Sequence, residues 1–303
     1  MEKLSFLVSL ITKDNDYQRE QASSAQAAAL KLGASVQIVY ANNQAVEQTQ
    51  QILSFVQEPA KRPTVILVEP VGTPMDRVAR AAVAAGIGWG LINIEADYVP
   101  LLRRQASVPV FSFLSDHEEI GRIQGRQIGA ILGDEGCVLH VEGPTVRNVA
   151  GLRTKGMMST KPEGVTVKAL RGDWTQQSGY RAVKSWLSLS TSRELHIGMV
   201  VCQNDDMAMG ARRAFEEATV MQERDQWLRL PLTGCDGIPT AGQSWVRQGW
   251  LTATVFSPPL LGEAMHLAAN AIKAGAQPPE RTLIAPSSFP ALAQLKRVQS
   301  PVQ

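Results

Sequence analysis

Polar clusters follow apolar runs at two places in the chain: Asn204-Asp205-Asp206 after the run ending at Cys202, and Asp236-Gly237 after the run ending at Cys235. A primary amide presents a donor and an acceptor side by side, and an ionised carboxylate accepts hydrogen bonds about twice as strong as neutral ones. Asn204 and Asp236 therefore carry the chemistry needed to hold adjacent hydroxyls of a small polar molecule. The competing readings are an N-cap with an acidic first turn for Asn204-Asp205 and a plain Asp-Gly turn for Asp236-Gly237; Asp205 and Asp206 are assigned to the cap. A catalytic set needs a base, an orienting partner and an electrophilic stabiliser within mutual reach, and no spacing here advertises one. His117, His140, His196 and His266 are scattered without ligand spacing. No phosphate loop of the G-x-x-x-x-G-K-[ST] type and no nucleophile elbow occurs, and the glycines from Gly86 to Gly90 follow a helical segment instead of joining a strand to one. The expectation is binding without catalysis, metal or cofactor.

These clusters must be positioned by the elements around them. Short β-branched runs alternate with longer segments of helical period almost from end to end, the pattern of parallel sheets covered by helices. Strands are expected at residues 5–10, 36–41, 64–69, 90–95, 110–114, 136–141, 165–170, 197–202, 231–235 and 251–256. Gly33 and Gly86 stand where helix C-caps belong. The helix from 116 to 132 opens on Ser115 and Glu118, spaced as a capping box, and its Gly121, Gly125 and Gly129 recur on one side, which predicts a tight contact of that helix on a sheet. Cys137, Cys202 and Cys235 lie in apolar runs without C-x-x-C spacing and are expected to be buried core thiols.

The chain has 303 residues, 44% of them apolar and 19% charged, enough for two lobes each with its own core. Its net charge of +2 comes from 30 basic and 28 acidic residues with no like-charge block, which argues against direct nucleic-acid binding. The first strand begins within a few residues of Met1, so a helix-turn-helix module ahead of it is not expected unless the chain is a fragment. The opening apolar run is too short to span a membrane, and a membrane-embedded protein is not expected. As written the chain reads as cytoplasmic, and as periplasmic if Met1 replaces a removed signal sequence.

The stretch Ile197 to Gly210, with Asn204-Asp205-Asp206 at its centre, resembles the strand-to-helix junction of type I periplasmic sugar-binding proteins, the ribose-binding type and the ligand-binding cores of lactose-repressor-like regulators. The resemblance continues through Thr233-Gly234-Cys235-Asp236-Gly237, Leu251 to Val255, and Ser115-Asp116. It implies an α/β fold of two Rossmann-like lobes with parallel sheets joined by three crossing strands near Phe113, Ser257 and Ile284. The lobes then comprise residues 1–113 plus 258–283 and residues 114–257 plus 284–303. Ligand is expected at the strand carboxyl ends between them, favouring the closed form by its differential affinity for that form.

The same resemblance assigns the ligand residues. Asn204 and Asp236 match a ligand-binding amide and carboxylate. Trp174 falls at one aromatic wall and Tyr17 at the opposite one, flat rings suited to the apolar faces of a sugar; ordinary packing is the alternative for both. Asn15 and Ser9 lie near the end of the first strand, with Ser9 also readable as packing. Asn93 stands where an Asp followed by Arg is common, but here Ile94 follows. The family's ligand-contacting Arg aligns with Gly151, so Arg153 matches a neighbouring structural Arg, with Arg147 as a further loop candidate. Ser257 stands where Gln is common. The resemblance implies a sugar or related polyol as ligand and a transporter permease or sensor protein as partner, in a solute-binding component or, alternatively, a cytosolic ligand-sensing core.

Overall fold

The computed structural model describes residues 3–72, 75–144, 148–190, 192, 195–218 and 221–297. The chain divides into a first unit, Met1–Ser115 with Pro259–Ile284, and a second, Asp116–Pro258 with Ala285–Gln303.

In the first unit the chain runs β1 (Ser5–Leu10), α1 (Asp16–Leu32), β2 (Ser35–Tyr40), α2 (Ala45–Gln57), β3 (Val65–Val68), α3 (Asp76–Ala84), β4 (Gly88–Ile92), α4 (Tyr98–Gln105) and β5 (Val110–Ser115). In the second it runs α5 (His117–Leu132), β6 (Glu135–Glu142), α6 (Asn148–Thr160), β7 (Gly164–Arg171), α7 (Gln176–Leu187), β8 (Ile197–Cys202), α8 (Asp205–Glu216), α9 (Met221–Leu228), β9 (Leu232–Asp236), α10 (Gly242–Arg247) and β10 (Ala253–Phe256). It returns to the first unit for α11 (Leu261–Ala274) and β11 (Arg281–Ile284), and closes in the second with β12 (Ser287–Phe289).

Each unit holds one six-stranded sheet, ordered β11-β5-β4-β3-β1-β2 in the first and β12-β10-β9-β8-β6-β7 in the second. The two orders are the same, strand for strand, so the units repeat one topology although their residues do not. All pairings are parallel except β12 against β10. The short β11 and β12 escape a periodicity reading, because three or four residues around Ala285-Pro286 carry too little pattern to define a period.

Parallel strands covered on both faces must be apolar on both, and β3, β4 and β5 are buried along their whole length. Alternation still sorts the side chains. Phe6, Val8, Val65 and Leu67 meet the alanine face of α1 and α11, while Leu7, Ile66 and Val68 meet α2, α3 and α4. In the second unit Leu139, Val141 and Val200 pack with Trp186, Phe215 and Trp227, and Val138, Met199 and Val201 pack with Ile128, Ile131 and Met157.

Several local expectations are corrected. The cap of α5 is Asp116, whose side chain accepts from the Glu119 N–H, one residue later than the Ser115 and Glu118 pairing; Ser115 is still the last residue of β5. The glycine stripe of α5 faces α6 and the turn after it, not a sheet: a Cβ on Gly121 would lie 2.0 Å from the Arg153 carbonyl oxygen, one on Gly125 2.6 Å from that of Met157, and one on Gly129 3.3 Å from Pro162. Side-chain volume at those positions would push the two helices apart. Cys137 is only half-buried; Cys202 and Cys235 are buried, and burial pushes their thiols up so that neither is a ready thiolate. Gly33 is the left-handed C-cap of α1 as expected, whereas Ala85 caps α3 and the left-handed Gly86 follows it. Among the described residues no helix is long and apolar enough to cross a membrane.

Candidate functional site

In an open parallel sheet, ligands gather beyond the strand carboxyl ends where the strand order reverses. The chain leaves β1 for β2 on one side and for β3 on the other; in the second unit it leaves β6 for β7 on one side and for β8 on the other.

At the second unit's reversal point, five of the sequence-selected residues come together. Asn204 caps α8 through Oδ1, which accepts the Met207 N–H at 2.9 Å, while its Nδ2 donates to the Trp174 carbonyl oxygen at 2.9 Å. The cap and ligand readings are compatible, since a primary amide can form four hydrogen bonds. Trp174 holds a left-handed φ of 72° and its indole rests on Gly143, where a Cβ would lie 2.1 Å from the ring. The Arg153 guanidinium stands 5.4 Å from the centre of that ring, donates to the Gln203 carbonyl oxygen and comes within 4.0 Å of Asp236 Oδ1. Arg153 is buried, and its Nε has no hydrogen-bond partner. Asp236 ends β9 with φ at 102°, a conformation that costs a non-glycine residue about 1–3 kcal/mol and concentrates at functional sites. Its carbonyl oxygen accepts the Ser257 N–H at 3.0 Å.

Behind this row lie residues that sequence reasoning passed over. Gln203 is fully buried, accepts the Gly143 N–H at 2.9 Å and donates to the Ala150 carbonyl and Thr154 hydroxyl, tying the end of β8 to the end of β6 and to α6. Asp205, assigned to the helix cap, also clamps two neighbours: Oδ2 accepts the Gly237 N–H at 2.7 Å and Oδ1 accepts the Thr254 hydroxyl at 2.7 Å. Glu142 accepts from Thr154, pairs with Arg171, and lies 3.4 Å from His140 Nδ1. The interaction with His140 leads in holding its carboxyl below the usual value, against the opposing effect of burial, with Thr154 and Arg171 adding to it.

That depressed pKa fixes a sign. A carboxylate favoured in the folded state contributes stability above its unfolded pKa and loses it as pH falls through the folded value. Glu142→Gln is expected to lower stability by about 1–3 kcal/mol at neutral pH. The gap from the parent should close on acidification below the ordinary glutamate pKa, and a gap independent of pH in parallel thermal melts would exclude the ionised form as its source.

At the first unit's reversal point, Asn15 caps α1 by accepting the Gln18 N–H at 2.8 Å. Gln18 donates through Nε2 to Glu69 Oε2 at 2.8 Å, and Asn93 donates through Nδ2 to Glu69 Oε1 at 3.0 Å. Asn93 directly follows β4 with φ at 66°, the counterpart in this unit of Asp236 after its own left-handed turn. Tyr17 is buried in the first turn of α1. Ser9 is fully buried, and its hydroxyl accepts from Gln48 Nε2 at 3.0 Å, a bond that ties β1 to α2. Glu69, Gln18 and Gln48 were not selected from sequence, although Glu69 follows the apolar run Val65 to Val68 just as Asn204 follows its own. Arg147 lies outside the described residues.

Each unit carries a row of buried amides and carboxylates at its strand ends, the second with an indole beside it, and each row is able to exchange hydrogen bonds with a polar molecule. The periplasmic binding protein domain family matches residues 6–277, and the chain belongs to that family. It is similar to the D-apiose import binding protein of Paraburkholderia graminis, 26% identical over 287 residues covering 92% of this chain and 85% of that protein. It is also similar to the galactofuranose-binding protein YtfQ of Escherichia coli, 25% identical over 91% of this chain and 84% of that protein. Among solved structures, an ABC transporter periplasmic solute binding protein from Actinobacillus succinogenes with bound D-allose superposes with a TM-score of 0.80 at 19% identity, over 94% of this chain and 97% of its own. That likeness establishes the fold, two α/β units with parallel-dominated sheets. The relatives are binding proteins rather than enzymes.

Proposed function

We propose that this chain binds a small polyhydroxylated molecule, a sugar or related polyol, through the strand carboxyl ends of its units and releases it unchanged, as the solute-binding component of an import or sensing system. A permease or a sensor protein is the partner this reading calls for. The observation that carries it is the group Asn204, Asp236, Trp174 and Arg153: an amide with bonding capacity left over, a carboxylate on a strained backbone, an indole, and a buried guanidinium with an unused N–H. An apolar ring for the C–H face and charged or amide groups for the hydroxyls is the combination a sugar requires. The similar proteins that bind D-apiose and galactofuranose point the same way.

The test is a thermal-shift screen against pentoses, hexoses, furanoses and cyclitols, since a ligand selective for the folded form raises its melting temperature. At least one is expected to shift the parent protein. Asp236→Ala is expected to weaken that ligand roughly 30-fold or more while keeping a cooperative melt, as loss of a buried charged hydrogen-bond partner does. The ligand should be recovered chemically intact after prolonged incubation. A protein shifted by none of these compounds, or one that converts them, would remove the proposal.

A further inference from the structure

Two of the buried carboxylates at the strand ends of this protein stand beside a cation. Glu142 pairs with Arg171, and Asp236 has the Arg153 guanidinium 4.0 Å away. Glu69, only 4% exposed, has neutral partners: the side-chain amides of Gln18 and Asn93, one on each oxygen. Among the described residues no lysine, arginine or histidine pairs with it. A third amide, Gln48, holds the Glu69 carbonyl oxygen at 2.9 Å and fixes the backbone from which the side chain projects.

A buried charge that lacks an opposite charge is costly, and proteins retain one where something else supplies the partner. Each carboxylate oxygen has two lone-pair positions, so the two amides leave about half of the acceptor capacity unused. The position is also the right one for a ligand. Glu69 directly follows β3, Gln18 belongs to the helix after β1, and the bond between them crosses the β1/β3 reversal point, where an open parallel sheet admits its ligand.

Resting on the sugar or polyol reading above, we infer that the ligand carries a basic nitrogen, an amino-polyol or amino sugar, whose ammonium is held by Glu69. A neutral hydroxyl satisfies a lone pair but leaves the charge uncompensated; an ammonium does both, and a charge-assisted bond is the stronger one. Gln18 and Asn93 then act as positioning residues, aiming the carboxylate by occupying one side of each oxygen.

The experiment is a thermal-shift and calorimetric comparison of matched probes on the full chain: glucosamine, galactosamine, mannosamine and an aminocyclitol, each against its hydroxyl parent. At least one amine is expected to bind more tightly than its parent, by roughly 30-fold or more. Glu69→Gln, which keeps the shape and removes the charge, should abolish that preference by lowering the affinity for the amine far more than that for its hydroxyl parent. Should Glu69→Gln fail to melt cooperatively, Glu69→Asp, which keeps the charge, must keep the preference. Hydroxyl parents binding as well as or better than their amines, or a preference that survives in Glu69→Gln or vanishes in Glu69→Asp, would overturn the inference while leaving the polyol reading intact. Absence of binding by every amine and every parent would overturn both.

Discussion

Replacing Gly210 by valine is expected to lower the stability of the second unit by about 3 kcal/mol, at the upper end of the overpacking range. Glycine inside a helix is ordinarily a liability of about 1 kcal/mol against alanine, so on local grounds a side chain here should help. The helix crossing reverses that sign. A Cβ on Gly210 of α8 would lie 2.0 Å from the Gln176 carbonyl oxygen and 2.6 Å from the Tyr180 nitrogen, both on the backbone of α7. Gly179 answers from the other helix, where a Cβ would lie 2.3 Å from the Met207 carbonyl oxygen. Backbone cannot rotate away as a side-chain tip can, so α7 and α8 must separate. At about 2–4 °C per kcal/mol for a unit of this size, the melting temperature should fall by about 6–12 °C. Because α7 begins just after Trp174 and α8 just after Asn204, the Asn204 to Trp174 bond should also loosen, and ligand affinity should fall along with stability. An unchanged melting curve for Gly210→Val would show that the crossing is not as close as the structure has it.

The second large effect is expected at Asp205. Its two oxygens accept from the Gly237 N–H and the Thr254 hydroxyl, both buried, and Gly234 and Gly242 leave the slot in which it sits: a Cβ at either would come within 2.1 Å and 2.0 Å of its carboxylate oxygens. Asp205→Ala leaves two buried donors without this acceptor, at about 1–3 kcal/mol each, so a loss of about 2–6 kcal/mol is expected in urea unfolding. Asp205→Asn has nearly the same shape, yet it presents an NH2 to one of those donors, so it should recover only part of the loss. Equal stabilities for the parent and Asp205→Asn would refute the two-oxygen clamp. Since Gly237 follows Asp236, either variant should also disturb the strained turn at Asp236.

Much of the architecture was legible because its signals are local. The strands at Ser5–Leu10 and Ile197–Cys202 lie where their β-branched runs place them, and Gly33 closes α1 in the left-handed conformation that favours glycine. Signals that depend on a partner were read less well. The glycine stripe of α5 announced close packing but not with what, because the answer resides in Arg153 and Met157 of another helix. Glu69 looked like the end of a strand, since nothing near it in sequence shows that Gln18 and Asn93 converge on its two oxygens.

The sequence by itself determined the alternation of strands and helices and the family resemblance across the Asn204 and Asp236 junctions. These follow from period and from short motifs, which neighbouring residues define. Tertiary structure alone decided that both sheets share one strand order, that Asn204 anchors Trp174, that Asp205 binds the Gly237 N–H and the Thr254 hydroxyl, and that Glu69 has no cation paired with it among the described residues. Each of these depends on residues far apart in the chain, brought together only when parallel strands align their carboxyl ends along one edge.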